Sequence, residues 1–476
     1  MKLIHSKKII SLFWVGLLVY GIVFLVFPNG YRFNPQYLVE NSVLKNHGFS
    51  GVPQEITSPQ LKIKAYLLAE HSNPIVSVSF LFKNSGAAYE PQTKLGIGKI
   101  LADMLAKGAG PYDMTAFNEI LEQNAIHLSF NNDKDDFSGN LMFIAQDAKI
   151  AAQMLNLALT RPRFTEKDLK QSHSDLATAW HYQRENPYSY LSMETAQLLY
   201  GEHPYHRSTY GELKSIRVIT SNDLREFMRH HLVLNNLIVG ISGDISAHDA
   251  EMLLDKIFAS LPLKGQKLDI PPAQVLISQK DSLITRKNLP QVIGIFAGLG
   301  VPMSNPDFYP LKVALEIFSG SGLSSRVQKS AREQSGLTYG VYGHLSNLDK
   351  SDLILGNFST TPQNYKTLRD LIADEWIKFG EKGVDEKELT KVKDYLMAAE
   401  PLRYADTMNL SNILIYMQKY GLGLDFLQKR NTYIENVNFD DVNRIIKKYF
   451  TKTNLRFIMI GKFEKQGTVK DENVSQ

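Results

Sequence analysis

The chain has no cysteine, although it is 476 residues long. This absence excludes disulfides, thiolate metal sites and a cysteine nucleophile, and it fits either redox compartment. A strong excess of one charge is also missing. The formal net charge is +4, and acidic and basic residues are mixed along the sequence. Such a weak and dispersed charge argues against a nucleic-acid partner.

The motifs of zinc peptidases are missing as well. Neither H-E-x-x-H nor H-x-x-E-H occurs, and the 12 histidines are scattered. A zinc hydrolase of this kind needs two histidines on one helical face beside a carboxylate that activates water. Pro204 separates His203 from His206, and the second half of the chain holds a single histidine, His344. The Gly/Ser-rich stretch 319–325 has neither the G-x-S-x-G pattern of serine hydrolases nor a phosphate-binding loop pattern.

What is present is an ordinary globular composition, with 43% apolar and 21% charged residues. The length suggests roughly two to four domains with sizeable buried cores.

One long apolar run lies near the start of the chain. Residues 9–27 (IISLFWVGLLVYGIVFLVF) are free of charge, and as a helix they can cross a hydrocarbon core of about 30 Å. Because Lys2, Lys7 and Lys8 precede the run, the positive-inside rule predicts a single-pass anchor in the cytoplasmic membrane. Residues 1–8 would then lie in the cytoplasm and the body on the periplasmic side. The alternative is a cleaved signal peptide, which would leave a soluble periplasmic or secreted protein.

The body of the chain contains an internal duplication. The strand-like segments 76–83 and 237–243 (LIVGISG) correspond to 291–298 (QVIGIFAG) and 455–461 (LRFIMIG). Segments with helical spacing follow in a similar order in each half. They predict helices at 95–105, 113–124, 147–160, 166–184 and 221–231, and then at 309–319, 363–379, 385–398 and 440–450.

We therefore expect an α+β fold with two similar α+β domains, each an antiparallel sheet with helices packed on it. The domains are predicted at residues 59–263 and 286–465. A spacer (28–58), a linker (264–285) and a disordered tail (466–476) complete this organisation.

A loop and a helix-like segment in the second half look suited to binding. Residues 318–342 (FSGSGLSSRVQKSAREQSGLTYGVY) start with a flexible loop, Ser319, Gly320, Ser321 and Gly322. Arg332 lies in the segment that follows, and Tyr339 lies seven residues beyond it. From composition alone, a flexible loop that leads into a helix explains this stretch equally well.

Three stretches resemble the pitrilysin/insulinase family of zinc peptidases. Residues 96–109 (GIGKILADMLAKGA) are similar to the family's signature helix, which carries H-x-x-E-H followed by Met-Leu-x-Lys-Gly. Residues 318–342 match its C-terminal pattern G-x-S-S-R…R-E-x-x-G-L-x-Y, and residues 201–205 (GEHPY) are also similar. The resemblance covers roughly residues 55–465.

The chain departs from the family at the metal site. Lys99 stands at the position of the first histidine, Ala102 at the glutamate and Asp103 at the second histidine. The third ligand of the family, a glutamate, corresponds approximately to Ala179. One carboxylate beside a lysine cannot hold catalytic zinc, so we expect no metal and no cofactor in this chain.

The resemblance implies a role for what remains. In two-chain members of the family, one subunit carries zinc and the other contributes an arginine and a tyrosine that hold the peptide. These two residues correspond here to Arg332 and Tyr339, with the loop 319–322 bordering the cleft. The expected function is a non-catalytic, substrate-binding subunit, inactive alone, of a heteromeric peptidase. It would act on peptides or unfolded polypeptides outside the cytoplasm, and a partner chain would supply the zinc.

Two alternatives stay open. The chain could be a pseudo-enzyme that binds peptides or supports assembly without any proteolysis. It could also be an enzyme with a metal site that the sequence does not reveal.

Overall fold

A computed structural model describes residues 52–266, 269–320, 325–399, 406–463 and 470–471. All of these residues belong to one unit of the chain, Phe49–Gln476. The predicted anchor at 9–27, the terminus at 1–8, most of the spacer and most of the tail lie outside the described residues. Within the described ranges, no helix is long and apolar enough to cross a membrane.

Each half of the body contributes a six-stranded sheet. The first sheet has the order β1-β2-β6-β3-β5-β4 and the second has the order β12-β7-β11-β8-β10-β9. The strands of the first sheet are β1 (Gln54–Thr57), β2 (Lys64–Ala69), β3 (Ile75–Phe82), β4 (His127–Asn132), β5 (Phe137–Ile144) and β6 (Leu237–Gly243). Those of the second are β7 (Ser282–Thr285), β8 (Val292–Leu299), β9 (Val341–Leu348), β10 (Ser351–Thr360), β11 (Arg456–Gly461) and β12 (Lys470–Asp471).

Helices cover the sheets in a similar sequence order. In the first half they are α1 (Ile97–Met104), α2 (Met114–Gln123), α3 (Ala148–Thr160), α4 (Glu166–Glu185), α5 (Pro187–Tyr200), α6 (Leu213–Ile216), α7 (Ser221–His231) and α8 (Ala247–Phe258). In the second half they are α9 (Phe308–Ser319), α10 (Arg326–Gln328), α11 (Tyr365–Lys382), α12 (Glu386–Ala399), α13 (Thr407–Lys419), α14 (Phe426–Glu435) and α15 (Phe439–Tyr449).

The predicted duplication is confirmed by the sheet topology. The order β2-β6-β3-β5-β4 of the first sheet is repeated as β7-β11-β8-β10-β9 in the second. The predicted α+β class with two similar halves is therefore correct.

The expectation of purely antiparallel sheets is wrong. β2 pairs with β6 in parallel, and β7 pairs with β11 in parallel. In each half, a strand from late in the sequence lies between two early strands that run in opposite directions. It is therefore parallel to one neighbour and antiparallel to the other. Three strands also lie where no sheet was expected: β1 within the range of the spacer, β7 within that of the linker and β12 within that of the tail predicted to be disordered.

The two halves exchange a helix. The apolar side of α5, which belongs to the first half, packs on the second sheet, where Leu191 and Leu199 join a cluster with Ile293 and Ile295. The equivalent helix of the second half, α13, packs on the first sheet. Each core is thus completed by an element from the other half.

The approach of α13 to the first sheet depends on small residues. Ser411 of α13 is fully buried, and its hydroxyl lies 2.9 Å from that of Ser77 and 2.6 Å from that of Ser79 on β3. At Gly240 on β6, a Cβ atom would come within 2.3 Å of the Ser411 carbonyl oxygen. A larger residue on the strand would therefore push the helix away from the sheet.

A buried ionic cluster joins the halves at the end of α13. The Lys419 ammonium contacts Asp136, in the β4–β5 turn, and lies 2.9 Å from Asp349, in the β9–β10 turn. The backbone N–H of Asp349 donates to Asp135 at 3.0 Å, and the buried Tyr205 hydroxyl donates to the same carboxylate at 2.6 Å. Burial opposes the charge on Lys419, but the two aspartates outweigh it and raise the pKa of the ammonium.

Replacement of Lys419 by methionine should destabilise the body strongly. The change leaves the buried carboxylate of Asp136 without its counter-charge, and it also removes the partner of the more exposed Asp349. The loss of the buried pair costs about 3–5 kcal/mol of unfolding free energy. Denaturant unfolding of the full-length chain measures the effect. The matched control is Lys429→Met, which breaks an exposed pair with Asp425 and should change stability far less. Equal effects of the two variants would contradict a central role of the cluster.

Candidate functional site

The altered metal helix, α1, is fixed at its start by a buried carboxylate. Glu90 accepts hydrogen bonds from the backbone N–H groups of Gly96, at 2.6 Å, and Gly98, at 2.9 Å. These are donors of the first helical turn, which have no partner within the helix. Burial raises the pKa of Glu90 to about 7, and the two amides oppose this effect. The carboxylate therefore sets the position of the helix that carries Lys99, Ala102 and Asp103.

Lys99 lies against the edge of the first sheet. Its ammonium donates to the Asn131 side chain of β4 at 3.1 Å and lies 5.5 Å from the centre of the Tyr210 ring. Burial lowers the pKa of the lysine, and Asp133 opposes the shift. Ala102, one turn further on, is buried and offers no proton acceptor. The resemblance expects a metal ligand at position 99 and a catalytic base at position 102. The chain has a cation at the first position and a methyl group at the second.

Asp103 is held by side chains rather than by a metal. It lies 2.7 Å from the Lys107 ammonium and accepts a short hydrogen bond from the Ser172 hydroxyl. Lys107 also donates to Ser172 at 3.0 Å and lies 3.5 Å from Asp175. Because Ser172 and Asp175 belong to α4, this cluster joins α1 to α4 directly.

Ala179 lies on the same face of α4 as this cluster. It follows Ser172 by seven residues and Asp175 by four, which are spacings that place residues on one helical face. The placement of the third ligand at this position stays a prediction, and the residue there carries only a methyl group. Among the described residues, no group of three or more His, Asp or Glu side chains could hold a metal ion.

Arg332 lies on a short helical segment of the second half. α10 continues into a π-helix, Lys329–Gln334, and the Arg332 side chain is exposed. The segment ends at Gly336, whose φ of 60° is a left-handed conformation that glycine adopts without strain. The backbone N–H of Leu337 then bonds the Ala331 carbonyl at 2.9 Å, which turns the chain back. π-helical turns occur frequently at functional sites.

Tyr339 lies in the turn that follows, and the turn is braced by two threonines. The Thr338 hydroxyl donates to the Ser359 carbonyl at 2.7 Å, and the Thr360 hydroxyl donates to the Leu337 carbonyl at 2.6 Å. Tyr339 itself is 82% exposed. Among the residues that the structure describes, the side chains of Arg332 and Tyr339 have no hydrogen bond, ion pair or ring contact. A well-held backbone thus presents a guanidinium and a phenol to solvent, and both groups can donate hydrogen bonds to a ligand.

The predicted cleft loop is described only in part. Ser319 is the last residue of α9 and is fully buried, and Gly320 follows it. Ser321 and Gly322 lie outside the described residues.

Sequence reasoning missed the residues that support the site. Ser172 contacts Asp103 of the altered metal helix across 69 residues of sequence, and Asp175 contacts Lys107 just beyond the end of that helix. Glu90 fixes the start of the helix. The helical spacing of Ser172, Asp175 and Ala179 was the available signal.

The fold and the site define a duplicated α+β protein whose first half has lost the features of a metal site and whose second half exposes an Arg/Tyr pair. Family comparisons agree with this description. Residues 66–212 match the model "Insulinase (Peptidase family M16)", and residues 219–396 match "Peptidase M16 inactive domain". The chain belongs to the M16, or insulinase, family of peptidases, as the resemblance predicted.

Known relatives are similar over most of the chain. A Helicobacter pylori protein named Non-peptidase homolog YmxG is 25% identical over 414 residues, which cover 87% of this chain and 94% of the relative. The crystal structure of a peptidase M16 inactive domain from Pseudomonas fluorescens has a TM-score of 0.80 at 22% identity, and the match covers 87% of this chain and 99% of that one. A chain in complex III2 from Candida albicans has a TM-score of 0.70 at 16% identity, with 86% and 95% covered. Together with the lost ligands, these findings make this chain a non-catalytic, peptidase-like member of the family.

Removal of the Ser172 hydroxyl should loosen the contact between α1 and α4. Asp103 and Lys107 both lose a buried hydrogen-bond partner in Ser172→Ala, and the expected cost is about 1–3 kcal/mol of unfolding free energy. Denaturant unfolding measures it, with Ser174→Ala on the same helix as the matched control. If both variants unfold like the wild type, the cluster does not hold the two helices together.

A graft tests the position of the third ligand. The triple variant Lys99→His, Ala102→Glu, Asp103→His should bind Zn²⁺ weakly, because only two ligands are restored. Addition of Ala179→Glu supplies a third protein ligand, so it should tighten binding at least about tenfold, since even supporting residues around the ligands have effects of this size. Competition with a chromophoric chelator measures the affinity.

The control for the graft is Ala177→Glu, which places the carboxylate on another face of α4. Equal zinc affinity with Ala177→Glu and Ala179→Glu would show that α4 does not face the altered metal helix in the way described.

Proposed function

We propose that this chain is the substrate-binding, non-catalytic subunit of a heteromeric M16 peptidase. The observation that carries the proposal is the exposed Arg332/Tyr339 pair on a braced segment, in a chain whose own metal positions hold Lys99, Ala102 and Asp103. The chain lacks the metal ligands and the base that hydrolysis needs, but it exposes two hydrogen-bond donors that have no partner among the described residues. Such a chain is suited to binding a peptide rather than to cleaving it.

The chemistry of the pair suits a peptide backbone. A guanidinium and a phenol can both donate to a carbonyl oxygen, so together they fix the peptide and polarise the bond beside that carbonyl. The hydrolytic water then requires a metal ion and a base from another chain. The proposed partner is therefore a zinc-bearing M16 subunit of similar fold, and the proposed substrates are peptides or unfolded polypeptides.

An assembly with related chains has a structural parallel. The similar chain from Candida albicans was solved within complex III2, so the fold is compatible with a place in a larger complex. The charge-free run at 9–27 supports a membrane anchor, with the body acting on the non-cytoplasmic side.

A second function is favoured by one observation. The Helicobacter pylori relative is named a non-peptidase homolog. A pseudo-enzyme that binds peptides or supports assembly, with no proteolysis in its complex, would keep the Arg/Tyr pair as a binding site only.

Co-purification from native membranes tests the first function. The tagged full-length chain should bring with it a protein that contains H-x-x-E-H, and the complex should cleave fluorescein-labelled casein. In a complex of unchanged composition, Arg332→Ala with Tyr339→Phe should lower the cleavage rate at least about tenfold, because donors to the reacting carbonyl are lost.

The matched control is Arg217→Ala with Tyr188→Phe, which alters exposed residues of the same types in the first half. An unchanged rate in the Arg332/Tyr339 variant would refute the substrate-binding role. A complex that binds casein without cleaving it would favour the second function.

A further inference from the structure

Gln328 connects the two residues of the exposed pair. It is the last residue of α10 and precedes Arg332 by four positions on the same helical segment. Its side-chain oxygen accepts a hydrogen bond from the backbone N–H of Val341 at 3.3 Å. Val341 is the first residue of β9 and follows Tyr339 by two positions. The bond thus closes a loop of the chain, from residue 328 to residue 341, that contains both Arg332 and Tyr339.

The stability of the fold does not explain a glutamine at this position. The side chain is 1% exposed, and its Nε2 atom is buried without a hydrogen-bond partner among the described residues. A buried amide that is only partly satisfied costs free energy, and an apolar side chain of similar size would avoid this cost. Any role of the Gln328 side chain therefore depends on its oxygen, which accepts the hydrogen bond from Val341.

The other hydrogen bonds of this region join different pairs of elements. Two hydrogen bonds attach the turn with Tyr339 to β10: the Thr338 hydroxyl donates to the Ser359 carbonyl, and the Thr360 hydroxyl donates to the Leu337 carbonyl. The helical segment with Arg332 is attached to the turn by backbone bonds at Gly336 and Leu337. Gln328 adds the side-chain link that runs from the helical segment, past the turn, to the start of β9.

We propose that Gln328 is a positioning residue that sets the separation and orientation of Arg332 and Tyr339 for peptide binding. This inference rests on the proposed function, because it assigns to Gln328 the geometry of the same site. Gln328 does not touch the peptide. It acts by fixing the helical segment with Arg332 and the turn with Tyr339 relative to each other, so that both donors can reach the backbone of one bound peptide.

Gln328→Met is the decisive variant. Methionine fills a similar volume but cannot accept from Val341, so the affinity for fluorescein-labelled casein should fall about threefold to tenfold, the usual effect of one hydrogen bond. The melting temperature should stay within about 3 °C, because removal of the unpaired Nε2 offsets much of the cost of leaving the buried N–H of Val341 without its acceptor. Fluorescence anisotropy and thermal unfolding of the full-length chain provide the two readouts.

Gln328→Glu is the conservative control, since burial favours the new side chain as a neutral carboxylic acid, whose carbonyl oxygen can still accept from Val341. The affinity of this variant for casein should stay within about twofold of that of the wild type. In the Arg332→Ala background, Gln328→Met should have little further effect, because the pair that it positions is already incomplete.

The outcomes separate this inference from the proposed function. If Arg332→Ala and Tyr339→Phe leave casein binding unchanged, the proposed function fails and the inference fails with it. If they weaken binding while Gln328→Met does not, only the positioning role is overturned. A fall in affinity of Gln328→Met that comes with a drop in melting temperature well beyond about 3 °C would show a purely structural role and would also overturn the inference.

Discussion

The structure depends on the close contact between α13 and the first sheet. Ser411 can reach Ser77 and Ser79 only because the strands beneath it carry small residues, including Gly240. This contact lets a helix of the second half complete the core of the first, and α5 makes the reciprocal exchange. Lys419, at the end of α13, then ties the turns of both sheets together. Neither half is complete alone, so the altered metal helix and the Arg/Tyr pair belong to one folded body.

Within that body, the two segments that resemble parts of a peptidase site differ in their contacts. On α1, the connection to α4 runs through Asp103, Lys107 and Ser172, so the helix pair is joined without a metal. In the second half, Arg332 and Tyr339 remain exposed on a backbone that threonine hydroxyls and a buried glutamine hold in place. The chain has therefore kept the architecture of the family while replacing the ligands that catalysis needs.

Local patterns were enough to predict part of this arrangement. The helix expected at 95–105 is present as α1, and the duplication is correct because buried strands such as β6 and β11 leave similar apolar runs in each half. The parallel pairing of β2 with β6 was not predicted, because the partner of a buried strand leaves no local signal. Helix α5 was missed as well. It lies between the halves, so its buried residues do not form one clear stripe, although Asn186 and Pro187 mark its start. The contact of Asp103 with Ser172 spans 69 residues and arises only from tertiary packing.

The most direct test is a cryo-EM structure of the full-length chain, purified with its native partner and bound to an unfolded polypeptide. The account predicts a peptide carbonyl oxygen within hydrogen-bond distance of both Arg332 and Tyr339, with zinc bound by the partner chain. A peptide bound away from this pair, or a metal ion bound at Lys99, Ala102 and Asp103, would contradict it.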